Sequence, residues 1–231
     1  MESNTLSERE NIQKQIEAIF GGCMPEPGQA KEFFDEFRLR MLYYRSAMRE
    51  VETKIEVLNE EFSLRFDRNP ISGVYSRLKE GRSIFEKMRR KSLPISLENM
   101  EEHIDDIAGV RVICPFLDDV YDLERALLEQ DDITLVERKD YIKQPKPNGY
   151  RSLHLVLCVP IFLSGGKRIV KVEVQIRTIA MDSWASLEHQ LRYKKDFCLT
   201  RNTERELKIC AELSAELDSR MEMLRQNIIG D

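Results

Sequence analysis

A chain of 231 residues with 42% hydrophobic and 33% charged residues describes a soluble globular protein with one core, or one core with helical additions at its ends. The net charge of −5 argues against wholesale nucleic-acid binding, although 36 Lys and Arg leave room for local basic clusters. No apolar run is long enough to span a bilayer, residues 1–20 are too polar for a signal peptide, and five scattered Cys without a CxxC pair read as reduced thiols in a cytoplasmic protein.

In chain order, Ile12, Ile16 and Ile19 stripe a short helix predicted over 6–20, which the Gly/Pro-rich stretch 21–28 ends. A long helix follows over 29–62. Its apolar positions Phe37, Met41, Tyr44, Met48, Val51, Ile55, Leu58 and Phe62 form a sustained heptad, which fits either core packing or a self-association seam. After a turn at 67–70 come a strand over 71–78, a short basic helix over 82–92 and another short helix over 97–103. Residues 107–114 are almost continuously apolar, the mark of a central strand buried on both faces. Strict alternation sets Asp106 and Arg111 on opposite faces, so their service in one site implies a bulge or irregularity near Gly109. A helix over 117–128 and a strand over 133–141 lead into a loop, 143–151, whose two prolines and Asn-Gly pair exclude regular structure. A strand over 153–160, a turn at Gly165-Gly166, a strand over 171–177 and a helix over 179–193 come next. The last helix, over 203–228, has Leu207, Cys210, Leu217, Met221 and Leu224 as its stripe. The sum is an α+β (α/β-like) layer fold: a mixed sheet of about five strands flanked by helices, with long helices at both ends.

The strand over 171–177 organises the chemistry. Val170, Val172, Val174 and Ile176 alternate with Lys171, Glu173, Gln175 and Arg177, so one face is apolar and the other lines up a carboxylate, an amide and two cations. A solvated sheet face accounts for that row by itself. A nucleotide site asks for the same groups, as metal ligand, hydrogen-bonder and phosphate counter-charge. Asp106 and Glu173 are candidates to share a hard cation such as Mg²⁺, which completes its shell with water and substrate phosphates. Arg77, Lys79, Lys87, Arg90, Arg111 and Arg177 supply positive charge, Arg suited to stacking on a base and Lys to gripping phosphate. Tyr150, at a loop-to-strand junction beside Arg151, Ser152 and His154, is placed to stack a purine; half-burial beneath its own loop is the alternative. No HExxH, Walker A, GxSxG or GxGxxG string occurs.

Four strings occur in order: Asp106-Ile-Ala-Gly109-Val-Arg111, Lys146-Pro-Asn-Gly149-Tyr150-Arg151-Ser152-Leu-His154, Val172-Glu173-Val-Gln175-Ile-Arg177-Thr178 and Trp184-Ala-Ser-Leu-Glu188-His189. Together with Arg77-Leu-Lys79 and the stretch from Ser83 to Arg90, they closely resemble the synthetase domain of the RelA/SpoT superfamily, over about 72–195. The short length and terminal helices resemble its small alarmone synthetases, of RelP or RelQ type. That resemblance implies a nucleotidyltransferase-like sheet and transfer of pyrophosphate from ATP to the 3′-hydroxyl of GDP or GTP, releasing AMP. It implies that Arg77 and Arg111 sandwich the adenine, that Lys79, Ser83, Lys87 and Arg90 bind ATP, and that Asp106 and Glu173 hold Mg²⁺. Tyr150, with Lys146, Arg151 and His154, would bind GDP or GTP, and Gln175 would sit beside the reacting groups. Glu173 is the candidate proton acceptor as well as metal ligand.

The corresponding division is a helical extension at 1–66, the synthetase domain at 67–200 and a C-terminal helix at 201–231. Hydrolysis is not expected, because none of His103, His154 and His189 precedes an Asp as a hydrolase His-Asp pair requires. A homotetramer is expected from the resemblance, and RNA is left open as a partner without being expected. Two rivals stand: another nucleotidyltransferase, disfavoured because the chain has no Asp-x-Asp pair, and a catalytically silent nucleotide-binding regulator, disfavoured because both acids and the tyrosine are in place.

Overall fold

The computed structural model describes residues 27–66, 68–193 and 200–229; the helix expected over 6–20 lies outside the described residues. Helix α1 (Pro27–Phe66) leads to β1 (Gly73–Leu78), α2 (Gly81–Arg90), α3 (Leu97–His103), β2 (Ala108–Cys114), α4 (Leu117–Leu128), β3 (Thr134–Asp140), β4 (Leu153–Leu163), β5 (Gly166–Thr178), α5 (Ile179–Tyr193) and α6 (Arg201–Ile229). The five strands form one sheet in the order β1-β2-β5-β4-β3. Among the described strands only β2 and β5 run parallel, with β5 at the centre of the sheet and β2 beside it. A parallel pair needs a long crossover, which α4, β3 and β4 supply between them.

The heptad of α1 is core, not seam. Tyr44, Met48, Val51, Ile55 and Leu58 are buried in the same cluster as Val112, Leu155, Val172 and Val174 of the sheet. Each fully buried aliphatic side chain contributes about 1.5–3 kcal/mol by leaving water, so this helix is a main source of the domain's stability. Ile84, Phe85 and Met88 of α2 and Val120, Leu123 and Leu127 of α4 complete that cluster. Ser96 caps α3 by accepting the backbone N–H of Asn99 at 3.1 Å.

One expectation is corrected. The bulge near Gly109 does not occur: β2 keeps an unbroken register with β1 from Ala108 and with β5 from Gly109. Asp106 stands in a turn ahead of the strand, where alternation does not apply. The sheet's register shift falls instead between Leu135 and Glu137 on the edge strand β3. Helix α6 carries its apolar stripe on the outside. Its buried positions are Ala211, Asp218 and Glu222, whereas Leu213, Leu217, Met221, Leu224 and Ile228 are exposed. The helix therefore turns its small and acidic face inward and its apolar stripe outward. Strand β5 also begins earlier than expected, because its first residues pair with β4 in a hairpin arm, down to Leu163 opposite Gly166.

Candidate active site

Register assembles the cleft. In one row across the sheet, Arg77 of β1 stands beside Gly109 of β2, Glu173 of β5 and Val156 of β4. In the next, Tyr75 stands beside Arg111, Gln175, His154 and Lys139. Because side chains alternate along a strand, both rows share the face away from the α1 core. A Cβ on Gly109 would meet only Arg77 O, at 3.7 Å, so the floor between Arg77 and Glu173 is open.

Around Glu173 the polar groups form a closed ring. Arg177 Nη2 donates to Tyr150 Oη at 2.8 Å and to Gln175 Oε1 at 2.9 Å. Tyr150 Oη lies 2.8 Å from His154 Nε2, and His154 Nδ1 lies 3.1 Å from Glu173 Oε1. Gln175 Nε2 donates to Glu173 Oε2 at 2.9 Å. An ionised carboxylate can only accept, so His154 carries its proton on Nδ1 and, when neutral, accepts the Tyr150 hydroxyl on Nε2. Both arms of the ring thus end on Glu173. Burial pushes the Glu173 carboxyl up, but the hydrogen bonds from His154 and Gln175 and the His154 charge outweigh burial and bring it below its ordinary value. Asp106 is near enough for its negative charge to oppose that lowering.

Asp106 is the meeting point of a second cluster. Its Oδ2 lies 2.6 Å from Lys79 Nζ and 2.8 Å from Lys87 Nζ. Burial raises this carboxyl too, and the two lysines more than compensate, so it also sits below its ordinary value. Its Oδ1 is buried with no hydrogen-bond partner. An acceptor-only oxygen in that state fits a hard cation, and two ionised carboxylates on one cleft suit Mg²⁺, which asks for one or two of them.

The loop expected to be irregular is ordered by its own turn. Gly149 N donates to Lys146 O at 2.8 Å, Lys146 N to Tyr150 O at 3.1 Å, and Tyr150 N to Asn148 Oδ1 at 3.2 Å. Gly149 takes φ +92°, open to glycine and strained for other residues. Lys146 Nζ sits 4.8 Å from the Tyr150 ring centroid and 4.5 Å from that of Tyr141. Tyr141 meets His154 edge-on with centroids 5.3 Å apart.

The structure therefore brings Glu173, Gln175, His154, Tyr150 and Lys146 into one contact group, and Asp106, Lys79 and Lys87 into its neighbour. Arg77 and Arg111 stand on the same sheet face. Ser83 lies in the first turn of α2, where Glu80 provides no side-chain cap, and Arg90 ends that helix on an exposed position. Arg151 is placed apart from the Tyr150 ring: its Nη1 lies 3.6 Å from Asp218 of α6. Sequence reasoning missed Tyr141, Asp182 and Asp218. Asp182 Oδ1 accepts from Arg177 Nη1 at 3.0 Å and from Arg111 Nη1 at 3.4 Å, tying two cleft arginines to α5. Its signal was an acid one turn beyond the end of β5.

A sheet whose open face carries Glu173 amid hydrogen-bond donors, with Asp106 and two lysines in the neighbouring turn and helix, offers what a nucleotide with its phosphates and metal requires. The family model described as "Region found in RelA / SpoT proteins" matches residues 76–197, and this chain belongs to that family. GTP pyrophosphokinase YwaC from Bacillus subtilis is 41% identical over 198 residues, covering 86% of this chain and 94% of YwaC. Small alarmone synthetase 1 from Bacillus subtilis, solved bound to its product pppGpp, superposes with a TM-score of 0.76 at 36% identity, covering 84% of this chain and 98% of that one. The same protein bound to AMPCPP superposes with a TM-score of 0.72 at 36% identity, covering 85% of this chain and 100% of that one. The chain is thus a small alarmone synthetase by fold and relationship.

Proposed function

We propose that this protein makes ppGpp and pppGpp by transferring pyrophosphate from ATP to the 3′-hydroxyl of GDP or GTP. The 3′-oxygen forms a bond to the β-phosphorus of ATP, the bond from that phosphorus to the α,β-bridging oxygen breaks, and AMP leaves with the electron pair. The observation that carries this reading is the hydrogen-bonded ring converging on Glu173, one strand away from the Asp106–lysine cluster.

Phosphoryl-type transfer is mostly charge crowding and alignment, so the residues' work is positioning and neutralisation. Lys79 and Lys87, now bonded to Asp106, are the cations assigned to the ATP phosphates, with Ser83 and Arg90 beside them and Arg77 and Arg111 on the adenine. The Tyr150 ring takes the acceptor purine, and Lys146 above it faces the acceptor's charge. Asp106 and Glu173 would hold Mg²⁺, which when bound supplies charge neutralisation at the phosphates. A Glu173 carboxyl held below its ordinary value stays ionised at neutral pH. It orients the 3′-hydroxyl by accepting its hydrogen bond and takes the proton as the new P–O bond forms, with His154 fixed beside it.

The same reading makes the protein a synthetase without hydrolase activity that serves stringent-response signalling in the cytoplasm. Among the described residues no helix is long and apolar enough to cross a membrane.

The test is incubation with Mg²⁺, labelled ATP and GDP or GTP. Guanosine tetra- or pentaphosphate and AMP in equal amounts are expected; ADP formation or RNA elongation would refute this activity. Glu173→Gln should lower turnover by at least about 10²-fold while the protein still unfolds in one cooperative thermal transition. A near-normal rate in that variant removes Glu173 from the chemistry.

A further inference from the structure

Asp218 lies outside the cleft and yet is a buried carboxylate, 6% exposed, on the inward face of α6. Its Oδ2 accepts the hydroxyl of Thr178 at 2.9 Å and faces Arg151 Nη1 at 3.6 Å. Thr178 is the last residue of β5, and its Oγ1 also accepts the backbone N–H of Met181 at 3.1 Å in the first turn of α5. Arg151 directly follows Tyr150, and its Nη1 is buried without a hydrogen-bond partner, so Asp218 is the charge that balances it. One acid therefore joins the end of the strand carrying Glu173, Gln175 and Arg177 to the loop carrying Tyr150.

The same helix supports the loop by shape. A Cβ on Gly149 would stand 2.5 Å from Ala211 Cβ, which means that the loop backbone rests directly on α6. Trp184, Ala185 and Ala211 form a small buried cluster with Tyr150 packed against it, and Trp184 Nε1 donates to Leu207 O of α6 at 2.9 Å. A carboxylate in such a place is costly to bury, and burial indeed holds Asp218 above its ordinary value, with Thr178 and Arg151 pulling it back only in part.

We propose that Asp218 is a positioning residue for the acceptor nucleotide, acting through Arg151 and Thr178 to hold the Tyr150 loop against β5. The proposal rests on the reading of Tyr150 as the contact for the acceptor purine. It gives the C-terminal helix a part in acceptor binding although α6 contributes no group to the Glu173 ring.

The test is steady-state kinetics of the full chain with ATP and GDP varied separately, for wild type, Asp218→Asn and Asp218→Glu. The single tryptophan, Trp184, reports GDP binding by fluorescence. Loss of the charge in Asp218→Asn should raise the KM and Kd for GDP roughly tenfold, as expected for unbalancing a buried charged partner. The KM for ATP should stay within about twofold and Asp218→Glu should recover part of the loss. A parallel rise in both KM values, or no change in either, overturns the proposal. If Asp218→Asn fails to fold, Ala211→Val, which presses on Gly149 from the same helix, is judged by the same split. Wild-type product formation is measured first. If wild type makes no alarmone, the reading of the cleft falls, and the GDP titrations alone decide on Asp218, equal Kd values overturning its role.

Discussion

Glu173 illustrates how a single side chain is made by its neighbours. Alone on a strand it would be a solvated acid. Here register brings His154 and Gln175 beside it, and an acceptor-only carboxylate orders every donor in the ring. Tyr150 has two separable parts in this arrangement, a hydroxyl within the ring and an aromatic face beneath Lys146. If the face binds the purine, Tyr150→Ala should raise the acceptor KM about ten- to hundredfold, since a base–aromatic stack is worth about 1–3 kcal/mol. Tyr150→Phe keeps the face and should stay within roughly threefold on the acceptor KM. Equal losses on ATP and acceptor in Tyr150→Ala, measured by varying each substrate, would sink base stacking there.

At the scale of elements, the two terminal helices do opposite things with similar stripes. The α1 heptad is buried on the sheet, with Val51 and Ile55 at 0% exposure. Ile55→Ala should therefore cost about 2–5 kcal/mol in urea unfolding, while turnover per folded molecule stays near normal. A loss under about 1 kcal/mol would mean that α1 is an appendage to the core and not part of it. On α6 the apolar stripe faces out, and the inward face is occupied by a charged clasp. Buried Asp119 is paired with Arg68 and Arg225, Arg225 reaches Glu222, and Glu222 accepts the backbone N–H of Asp118. Heptad spacing is blind to this difference, because it records that a face is apolar and not which surface it meets.

For the whole molecule, the exposed Leu213, Leu217, Leu224 and Ile228 make an apolar stripe on α6, and we propose that further copies of the chain cover it in a homotetramer. Light scattering at micromolar concentration should give about four times the 27.1 kDa of one chain. Leu217→Lys should lower that mass, and a 27.1 kDa species for wild type would end the proposal. The assembly would also seat partner chains on the helix that braces the Tyr150 loop.

The sequence by itself determined the elements and the chemical cast. Period-two alternation set Glu173, Gln175 and Arg177 on one face, apolar continuity marked β2 as central, and α3, α4 and α5 lie where their patterns placed them. These are local properties, written within a few residues of one another. Tertiary structure alone decided that Asp106 enters from a turn, that Arg151 pairs with Asp218, 40 residues beyond the end of the cleft strand, and that α6 turns its acids inward. Those outcomes depend on which surfaces meet across long separations in the chain, and local periodicity carries no information about the partner.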